Sequence, residues 1–246
     1  TVMREELART LNLVRELSPI DSISIETNPD DLTPEVMSCV RDAGVTRLSV
    51  GIQSLDDRLL KQMERYDKYG TSEQVMERLA GAEGYFDTLN ADMIFNLPEQ
   101  DEASLTRDVE LITTMDAVNQ VTFYPLMSAE STMRKMLKTM GEVDFDREAR
   151  MYRLILDRLP DDFTPASAWC FSRDTGTVDE YVIENEEYLG LGSGSLSYID
   201  GVLYSTTFSL NNYNKRIAAG QFGISRKQPL TNRDRLRYFM LMNLFG

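Results

Sequence analysis

The 246-residue sequence contains no histidine and only two cysteines, Cys39 and Cys170. Without histidine, Ser-His-Asp catalysis, imidazole general bases and histidine-ligated metal sites are excluded. Two cysteines are too few for a disulfide framework, a four-thiolate zinc site or an iron–sulfur site within this chain. The ligands of any metal cluster would therefore have to lie outside this sequence.

The sequence also lacks an excess of positive charge and any long apolar run. It has 26 Lys and Arg residues against 40 Asp and Glu residues, a formal net charge of −14. Nucleic-acid and anionic-membrane partners are disfavoured because both require clustered positive charge. We find no apolar run of about 18 residues that would predict a transmembrane helix, and the charged N-terminus is not typical of a signal peptide. We therefore expect a cytoplasmic protein without nucleic-acid or membrane partners.

The two ends of the sequence predict that it is part of a longer protein. Its first residue is Thr1 rather than Met, and it stops inside an apolar helical pattern, LRYFMLMNLFG (236–246). A chain of about 250 residues is long enough for one large domain, or for one domain and part of another.

Predicted strands and helices alternate along the first half of the sequence. Apolar segments at 22–27, 47–52, 89–95 and 120–127 predict strands. Helices are predicted before and between them, at 3–17, 34–43, 56–65, 72–82 and 102–115. A repeat of about 25 to 35 residues per unit indicates βαβ units and a parallel sheet. The strands are interpreted as mostly continuous apolar runs, which are typical of a sheet that is covered on both faces.

The pattern changes after Met127. Helices are predicted at 131–139, 146–158, 210–219 and after Thr231, with a strand at 167–171 and a glycine-interrupted apolar stretch at 187–201. In the first half, polar or aromatic residues stand at the ends of the predicted strands: Glu26, Asn28, Gln53, Asn96 and Tyr124. Parallel α/β folds place their sites at the carboxyl ends of strands, in barrels and open sheets alike.

Several segments occur in the order and spacing of one known family. They are ETNPDDLTPE (26–35), GVTRLSVGIQSLDDRLLKQMER (44–65), NADMIFNLPEQ (90–100), TFYPLM (122–127) and YLGLGSGSLSYIDG (188–201). The sequence resembles the radical-SAM family of oxygen-independent coproporphyrinogen III oxidase-like enzymes over essentially its whole length. Segments 122–127, 167–173 and 179–198 are most similar to its haem-utilisation (anaerobilin synthase-like) branch.

The resemblance implies an α/β fold, a partial TIM-type (β/α)6 radical-SAM barrel that is truncated at its N-terminus. Residues 1–130 would form the barrel from its third strand onward. Residues 131–246 would form the barrel edge and part of a C-terminal α+β domain. The family binds a 4Fe-4S cluster through a CxxxCxxC motif on its first strand, and neither this motif nor the Gly-Gly-Gly-Thr-Pro motif after the second strand is present. The cluster ligands would then lie outside this sequence, and the fragment alone would be inactive. A full-length relative without a cluster is the alternative.

Glu26 and Gln53 match two family positions that contact S-adenosylmethionine. Glu26 stands in the E-x-N-P motif, where a carboxylate can accept hydrogen bonds from ribose hydroxyls or the methionyl ammonium. Gln53, in GIQS, offers an amide to the ribose or the carboxylate. The alternatives are a surface carboxylate that caps a loop and an amide that satisfies loop backbone.

Arg65 and Asp92 match two further cofactor positions. The planar guanidinium of Arg65 suits the carboxylate of S-adenosylmethionine, although a helix-surface arginine paired with Glu64 or Asp67 is an alternative. The family often has Arg-x-His here, and Asp67 replaces that histidine. Asp92 is an acid within a strand that otherwise reads as apolar, which is costly unless the acid is paired.

Tyr124 and Leu126 match the strand end that lies above the adenosine in the family. Contact with adenine is expected there, and core packing is equally compatible with Leu126. Asn96 occupies the glycine position of the family's Gly-Leu-Pro turn. Asparagine tolerates left-handed backbone better than most residues, so the turn can be preserved.

Candidates for substrate binding lie further along the chain. Arg134 and Arg173 could bind porphyrin propionates, since guanidinium matches carboxylate, although both could be surface residues. Gly192 could let the backbone approach a flat macrocycle, or could belong to a tight strand crossing. Cys170 is a candidate hydrogen donor or haem-iron ligand, and its alternative is a small buried hydrophobe.

The function implied by the resemblance is a radical S-adenosylmethionine enzyme of oxidoreductase or methyltransferase type that acts on a tetrapyrrole. It would need an external electron donor. Its reaction would be anaerobic haem utilisation, by methyl transfer and ring opening, or decarboxylation of coproporphyrinogen III. A haem-binding carrier or chaperone without turnover is the alternative from a different class. A cluster-less scaffold is the third possibility.

Overall fold

The computed structural model describes residues 2–127, 144–174 and 187–245, with side chains from residue 5 onward. The chain divides into two compact units, Thr1–Val178 and Asp179–Gly246. Within the described ranges, none of the helices combines the length and the apolar character needed to cross a membrane.

The first unit alternates helices and strands, as the sequence predicts. Its elements are α1 (Val2–Leu17), β1 (Ser24–Thr27), a 3-10 helix (Pro29–Asp31), α2 (Pro34–Asp42), β2 (Arg47–Gln53), α3 (Asp57–Gln62), α4 (Tyr66–Tyr69), α5 (Ser72–Ala80), β3 (Thr88–Phe95), α6 (Glu102–Thr113), β4 (Gln120–Pro125), α7 (Phe145–Arg158), β5 (Thr164–Pro165) and β6 (Cys170–Ser172).

Side-chain caps define where several of these helices begin. Thr33 accepts a hydrogen bond from the backbone N–H of Val36 at the start of α2, and Thr71 and Asp101 form capping boxes at the starts of α5 and α6. Such caps satisfy backbone donors that have no partner inside the helix. The helix predicted over 56–65 ends earlier, at Gln62, because Glu64 leaves the helical conformation with a φ of 59°. A separate short helix, α4, begins at Tyr66.

The six strands of the first unit form one sheet in the order β1-β2-β3-β4-β6-β5. Strands β1 to β4 are parallel, whereas β6 pairs antiparallel with both β4 and β5. The parallel arrangement confirms the α/β prediction, and it gathers the carboxyl ends of β1 to β4 at one edge of the sheet.

One face of this sheet carries the apolar core. Alternate residues of β2, β3 and β4, among them Val50, Met93 and Phe123, are buried against apolar side chains of the helices. The helix contribution includes Leu79 from α5 and Ile112 from α6, neither of which has exposed surface. Burial of these side chains stabilises the fold by about 1.5–3 kcal/mol for each large residue.

The other face of the sheet is polar, so the interpretation of the strands as continuous apolar runs is wrong. Polar side chains alternate with the apolar ones along RLSVGIQ (47–53), LNADMIF (89–95) and QVTFYP (120–125). Residues two apart in a strand share a face, and side chains of Ser49, Asn90 and Asp92 indeed contact one another. The sheet therefore separates an apolar layer against helices from a buried polar layer.

The second unit contains a three-stranded antiparallel sheet in the order β7-β8-β9 and two helices. Its elements are β7 (Leu196–Ile199), β8 (Val202–Thr206), α8 (Leu210–Ala218), β9 (Ile224–Pro229) and α9 (Asn232–Phe245). A bridge between Tyr188 and Tyr198 joins the glycine-rich stretch to β7. A Cβ on Gly190 would lie 2.0 Å from the carbonyl oxygen of Leu196, so this glycine permits a close crossing of two backbones.

Two predictions made from the sequence stay predictions at this stage. The helix expected at 131–139 lies outside the described residues. The division into domains at 130/131 rests on the family resemblance. Compactness groups α7, β5 and β6 with the first unit, because α7 packs on α6 and β6 pairs with β4.

Candidate functional site

A network of buried hydrogen bonds crosses the polar face of the sheet. The hydroxyl of Ser49 donates to Asp92 Oδ2 (2.7 Å), and the amide of Asn90 donates to Asp92 Oδ1 and to Ser49 Oγ (2.8 Å each). Thr122 donates to Asn90 Oδ1 at 3.0 Å. The predicted cofactor residue Asp92 is thus paired on both carboxylate oxygens, which explains how the sheet accommodates an acid.

A second row of this polar face lies nearer the amino ends of the strands. The buried guanidinium of Arg47 donates to Gln120 Oε1 (2.7 Å) and to Ser24 Oγ (2.9 Å). Within the described part of the chain, Nε2 of the fully buried Gln120 has no hydrogen-bond partner. Nε2 of Gln120 can therefore donate a hydrogen bond to a group from outside the described residues that packs on this face of the sheet.

The carboxyl end of β2 bends sharply at Gly51–Gln53. The register with β3 shifts between Gly51 and Gln53, and Gln53 adopts a φ of 75°, which is uncommon for a residue other than glycine. A Cβ on Gly51 would lie 2.9 Å from Nε2 of Gln53 and 3.7 Å from Nη2 of Arg65. The absence of a side chain at Gly51 therefore lets both predicted cofactor residues lie over the strand end.

Arg65 connects the ends of β1 and β2. Its Nη2 donates to the carbonyl oxygen of Gly51 (2.5 Å) and to Oδ1 of Asn28 (3.4 Å), and its guanidinium lies 4.4 Å from the ring centroid of Tyr69. Burial lowers the pKa of Arg65 from its ordinary value, and the nearby Tyr69 and Asp30 oppose this shift. Arginine nevertheless stays charged at neutral pH. The guanidinium of Arg65 therefore places a positive charge in a fixed position at the ends of β1 and β2.

Glu26 lies on the same face of the sheet as Asp92. The register places Glu26 opposite Ser49 and Gly51 opposite Asp92, and Ser49 donates to Asp92. The structure therefore brings Glu26, Gln53, Arg65 and Asp92 to one face, and Gln53 and Arg65 to one end of it. Their roles toward a cofactor stay predictions.

Tyr124 and Leu126 lie at the end of β4. Tyr124 is partly buried beside Trp169, with ring centroids 5.9 Å apart, and it stands opposite Ile94 in the register. The backbone N–H of Leu126 donates to the carbonyl oxygen of Phe95 at 2.9 Å. Both residues are therefore held at the same end of the sheet as Gln53.

The turn after β3 keeps the left-handed geometry that the sequence predicts for Asn96, whose φ is 65°. Arg147 of α7 holds this turn. Its guanidinium donates to Asn96 Oδ1 (2.8 Å) and to the carbonyl oxygens of Asn96, Leu97 and Pro98. The asparagine thus supplies an anchor that glycine could not provide.

Arg173 has a structural role at the opposite end of the sheet. Its guanidinium donates to the carbonyl oxygens of Thr113, Met115 and Val118 and to the Asp162 carboxylate. These carbonyls belong to the connection between α6 and the amino end of β4. Because three carbonyls and a carboxylate already engage its nitrogens, we leave Arg173 out of the proposed site, and its role toward propionates stays a prediction.

The other substrate candidates differ in what the structure says of them. Arg134 lies outside the described residues. Gly192 has a φ of 94° and space around its Cα, and its N–H donates to the hydroxyl of Tyr213 at 3.2 Å. Cys170 is fully buried and pairs in register with Thr122, on the polar face. A role in substrate binding or catalysis stays a prediction for these three residues.

The described residues hold no cluster of metal ligands, and a cavity lies beside β1. Among them, no three His, Cys, Asp or Glu side chains are grouped in a way that could hold a metal ion. A cavity of about 490 Å³ lies beside β1, between α1, α2 and the apolar face, and is lined by Leu7, Ile25 and Met37 among others. Glu26 also lines this cavity, whereas Gln53, Arg65 and Asp92 do not, so the cavity adjoins the predicted cofactor residues only at the end of β1.

Sequence reasoning missed several residues that build the site. Gly51 and Tyr69 were not singled out, nor were Ser49, Asn90 and Thr122. The signal for the polar residues was available, because strict alternation over 47–53 indicates a strand with two different faces. By contrast, the stacking of Tyr69 on Arg65 depends on the break between α3 and α4.

The chain is similar in sequence to several known proteins. The sequence model of the Radical SAM superfamily matches residues 2–112. The haem chaperone HemW of Bacillus subtilis is 25% identical over 99% of this chain and 66% of its own length. Anaerobilin synthase of Escherichia coli O157:H7 is 25% identical over 88% of this chain and 50% of its own length. The chain therefore spans about half to two thirds of the length of these relatives.

A solved structure shows the same fold. Coproporphyrinogen III oxidase (HemN) from Escherichia coli, described as a radical SAM enzyme, superposes with a TM-score of 0.78 at 18% identity, over 98% of this chain and 60% of that one. The fold prediction is thereby confirmed. Residues 2–112 of the chain therefore match the Radical SAM superfamily, and the chain is similar in sequence to HemW, anaerobilin synthase and the oxygen-independent coproporphyrinogen III oxidases.

Proposed function

We propose that this chain forms the S-adenosylmethionine-binding part of a radical SAM enzyme that acts on a tetrapyrrole. The observation that carries the proposal is the grouping of Arg65, Asn28 and Gln53 around Gly51, at the carboxyl ends of adjacent parallel strands. This is the edge at which parallel α/β folds bind ligands. The radical SAM family implies S-adenosylmethionine and a 4Fe-4S cluster as cofactors.

The polar groups at this edge match the polar groups of S-adenosylmethionine. Arg65 is held by Gly51 and Tyr69 with its remaining nitrogens able to donate to the methionyl carboxylate. The Gln53 amide can donate and accept toward the same carboxylate or the ribose. Glu26 can accept from the methionyl ammonium or the ribose hydroxyls. Bound S-adenosylmethionine supplies the radical chemistry, and these residues orient it.

The described residues do not fit a 4Fe-4S cluster. Cys39 lies in α2 and Cys170 is buried in β6, and no group of metal-binding side chains occurs in the described ranges. Cluster ligands would have to come from residues beyond those described. We therefore assign this chain the orientation of S-adenosylmethionine and derive no step that passes through a cluster.

A tetrapyrrole is proposed as the substrate because of the relatives. Their names include a haem chaperone, an anaerobilin synthase and a coproporphyrinogen III oxidase. An enzyme of oxidoreductase or methyltransferase type would use an external electron donor. The identities of 24–25% with these three relatives give no preference to the haem-utilisation branch, which stays a prediction.

A haem carrier without turnover is the second candidate, because HemW proteins of several organisms are among the relatives. Reduction of the complete protein with S-adenosylmethionine distinguishes the two. Formation of 5′-deoxyadenosine that depends on a tetrapyrrole supports the enzyme. Stoichiometric transfer of haem without 5′-deoxyadenosine supports the carrier and overturns the enzyme proposal.

Binding of S-adenosylmethionine to the 246-residue chain tests the site itself. Isothermal titration calorimetry should show a weaker affinity, by about tenfold or more, after Arg65→Met, because the carboxylate then loses a charge-assisted partner worth about 1.5–3 kcal/mol. Arg58→Met on α3 is the matched control, since Arg58 is exposed and paired with Asp56. Equal losses in both variants would contradict the assignment.

A further inference from the structure

The backbone that carries Gln53 requires support from outside its own strand. Gln53 lies in the left-handed region with a φ of 75°, directly after a register shift between β2 and β3. A left-handed conformation costs a residue with a side chain about 1–2 kcal/mol. Such a conformation persists only where the surrounding structure fixes it.

The two residues that follow Gln53 are both held by the carboxylate of Asp108. The hydroxyl of Ser54 donates to Asp108 Oδ2 at 2.7 Å, and the backbone N–H of Leu55 donates to Asp108 Oδ1 at 2.8 Å. Ser54 Oγ in turn accepts from the backbone N–H of Asp56 at 3.1 Å. One carboxylate thus fixes three consecutive residues after the bend.

Asp108 lies in the middle of α6, where an apolar residue would be expected. It is 1% exposed, and its helix neighbours Leu105, Val109 and Ile112 belong to the core. Burial raises the pKa of Asp108 to about 6, even though the hydrogen bonds from Ser54 and Leu55 lower it. An acid here costs stability, and its two hydrogen bonds go to the loop that begins at Gln53.

We propose that Asp108 is a positioning residue for the S-adenosylmethionine site. It holds Ser54 and Leu55 so that Gln53 projects its amide over Gly51, beside Arg65. Asp108 is buried beneath the loop, and it acts through Gln53. This inference rests on the proposed function for the role of Gln53, and on the hydrogen bonds of Ser54 and Leu55 for the role of Asp108.

A double-mutant cycle in the 246-residue chain tests this role, with S-adenosylmethionine affinity as the readout. Asp108→Ala should weaken binding by about tenfold, equivalent to about 1.4 kcal/mol. In the Gln53→Ala background the same change should weaken binding less than about twofold, since the effect passes through Gln53. Thr113→Val is the control, because Thr113 is similarly buried on α6 and its hydroxyl donates to the carbonyl oxygen of Val109 in the same helix.

Asp108→Asn provides a second variant in case Asp108→Ala fails to fold. Its Oδ1 keeps the acceptor for the Leu55 N–H, so affinity should recover to within about threefold of the parent chain. Equal effects of Asp108→Ala in the parent and Gln53→Ala backgrounds would overturn the positioning role while leaving the cofactor site in place. An unchanged affinity in Asp108→Ala would do the same.

Amide hydrogen exchange separates failure of this inference from failure of the proposed function. If the parent chain does not bind S-adenosylmethionine, the proposed function of the isolated chain fails. The positioning role is then judged by exchange at Gln53, which should accelerate by about tenfold or more in Asp108→Ala and stay unchanged in Thr113→Val. Acceleration confined to Leu55, whose acceptor is removed directly, would overturn it.

Discussion

Replacing Asp108 by asparagine should change how the stability of the chain depends on pH. The pKa of Asp108 is raised from 3.8 to about 6 by burial, so the folded chain retains a proton that the unfolded chain has lost between these two values. Stability therefore falls as pH rises through this window. The shift corresponds to about 3 kcal/mol in total, since one pKa unit is worth about 1.4 kcal/mol.

The measurement is urea unfolding of the parent chain and of Asp108→Asn at several pH values. Other titrating groups contribute equally to both proteins, so the difference in free energy of unfolding isolates Asp108. That difference, parent minus variant, should fall by about 2 kcal/mol between pH 4.5 and pH 7.5, which is the accessible part of the window.

Asp101→Asn, at the N-cap of the same helix, is the control, because the pKa of Asp101 is shifted in the opposite direction from that of Asp108. Hydrogen bonds from the backbone and hydroxyl of Ser104 lower the pKa of the exposed Asp101, so its contribution is present above the unfolded value and is lost only at lower pH. The corresponding difference should stay level between pH 4.5 and pH 7.5. If the difference in free energy of unfolding between the parent chain and Asp108→Asn also stays constant between pH 4.5 and pH 7.5, the inference that Asp108 is a desolvated acid is refuted.

Three further substitutions have expected outcomes. Gly51→Ala should weaken S-adenosylmethionine binding in calorimetry, because its Cβ would lie 2.9 Å from Nε2 of Gln53; an unchanged affinity would contradict the strand-end site. Arg173→Met should lower the free energy of unfolding by about 2–4 kcal/mol, because buried carbonyls lose their donor, and it should leave haem affinity in a titration unchanged. Weaker haem binding at unchanged stability would instead support a role of Arg173 in binding the substrate. Asn96→Ala should destabilise the chain by about 1–3 kcal/mol in urea unfolding, through left-handed strain and the lost Arg147 contact, whereas Asn96→Gly should lose only the contact; equal losses would exclude the strain component.

The parallel α/β architecture could be predicted because it depends on local patterns. Thr33 before Pro34 and the alternation of apolar segments with amphipathic ones specify where helices begin and strands lie. Parallel strands then gather their carboxyl ends at one edge. For this reason the strand-end residues Glu26 and Gln53 could be placed at one edge of the sheet before their contacts were known.

The two-sided character of the sheet was misjudged for a specific reason. The interpretation of β2 and β3 as apolar runs overlooks Ser49, Asn90 and Asp92, which stand at every second position of these strands. A polar residue in a strand predicts a buried network only when the neighbouring strands supply partners in register, and the register between β2, β3 and β4 is a long-range property.

By itself, the sequence predicted the order of helices and strands and indicated the family that its motifs resemble. These follow from residue types and from spacings within about 30 residues. The tertiary structure decided which polar groups meet. In the folded chain, Arg173 donates to three backbone carbonyls far from the site. Asp108 of α6 lies under the loop after Gln53 and accepts from Ser54 and Leu55, which are 54 and 53 residues away in sequence. Contacts of this kind depend on how α6 packs against the sheet, so no local pattern specifies them.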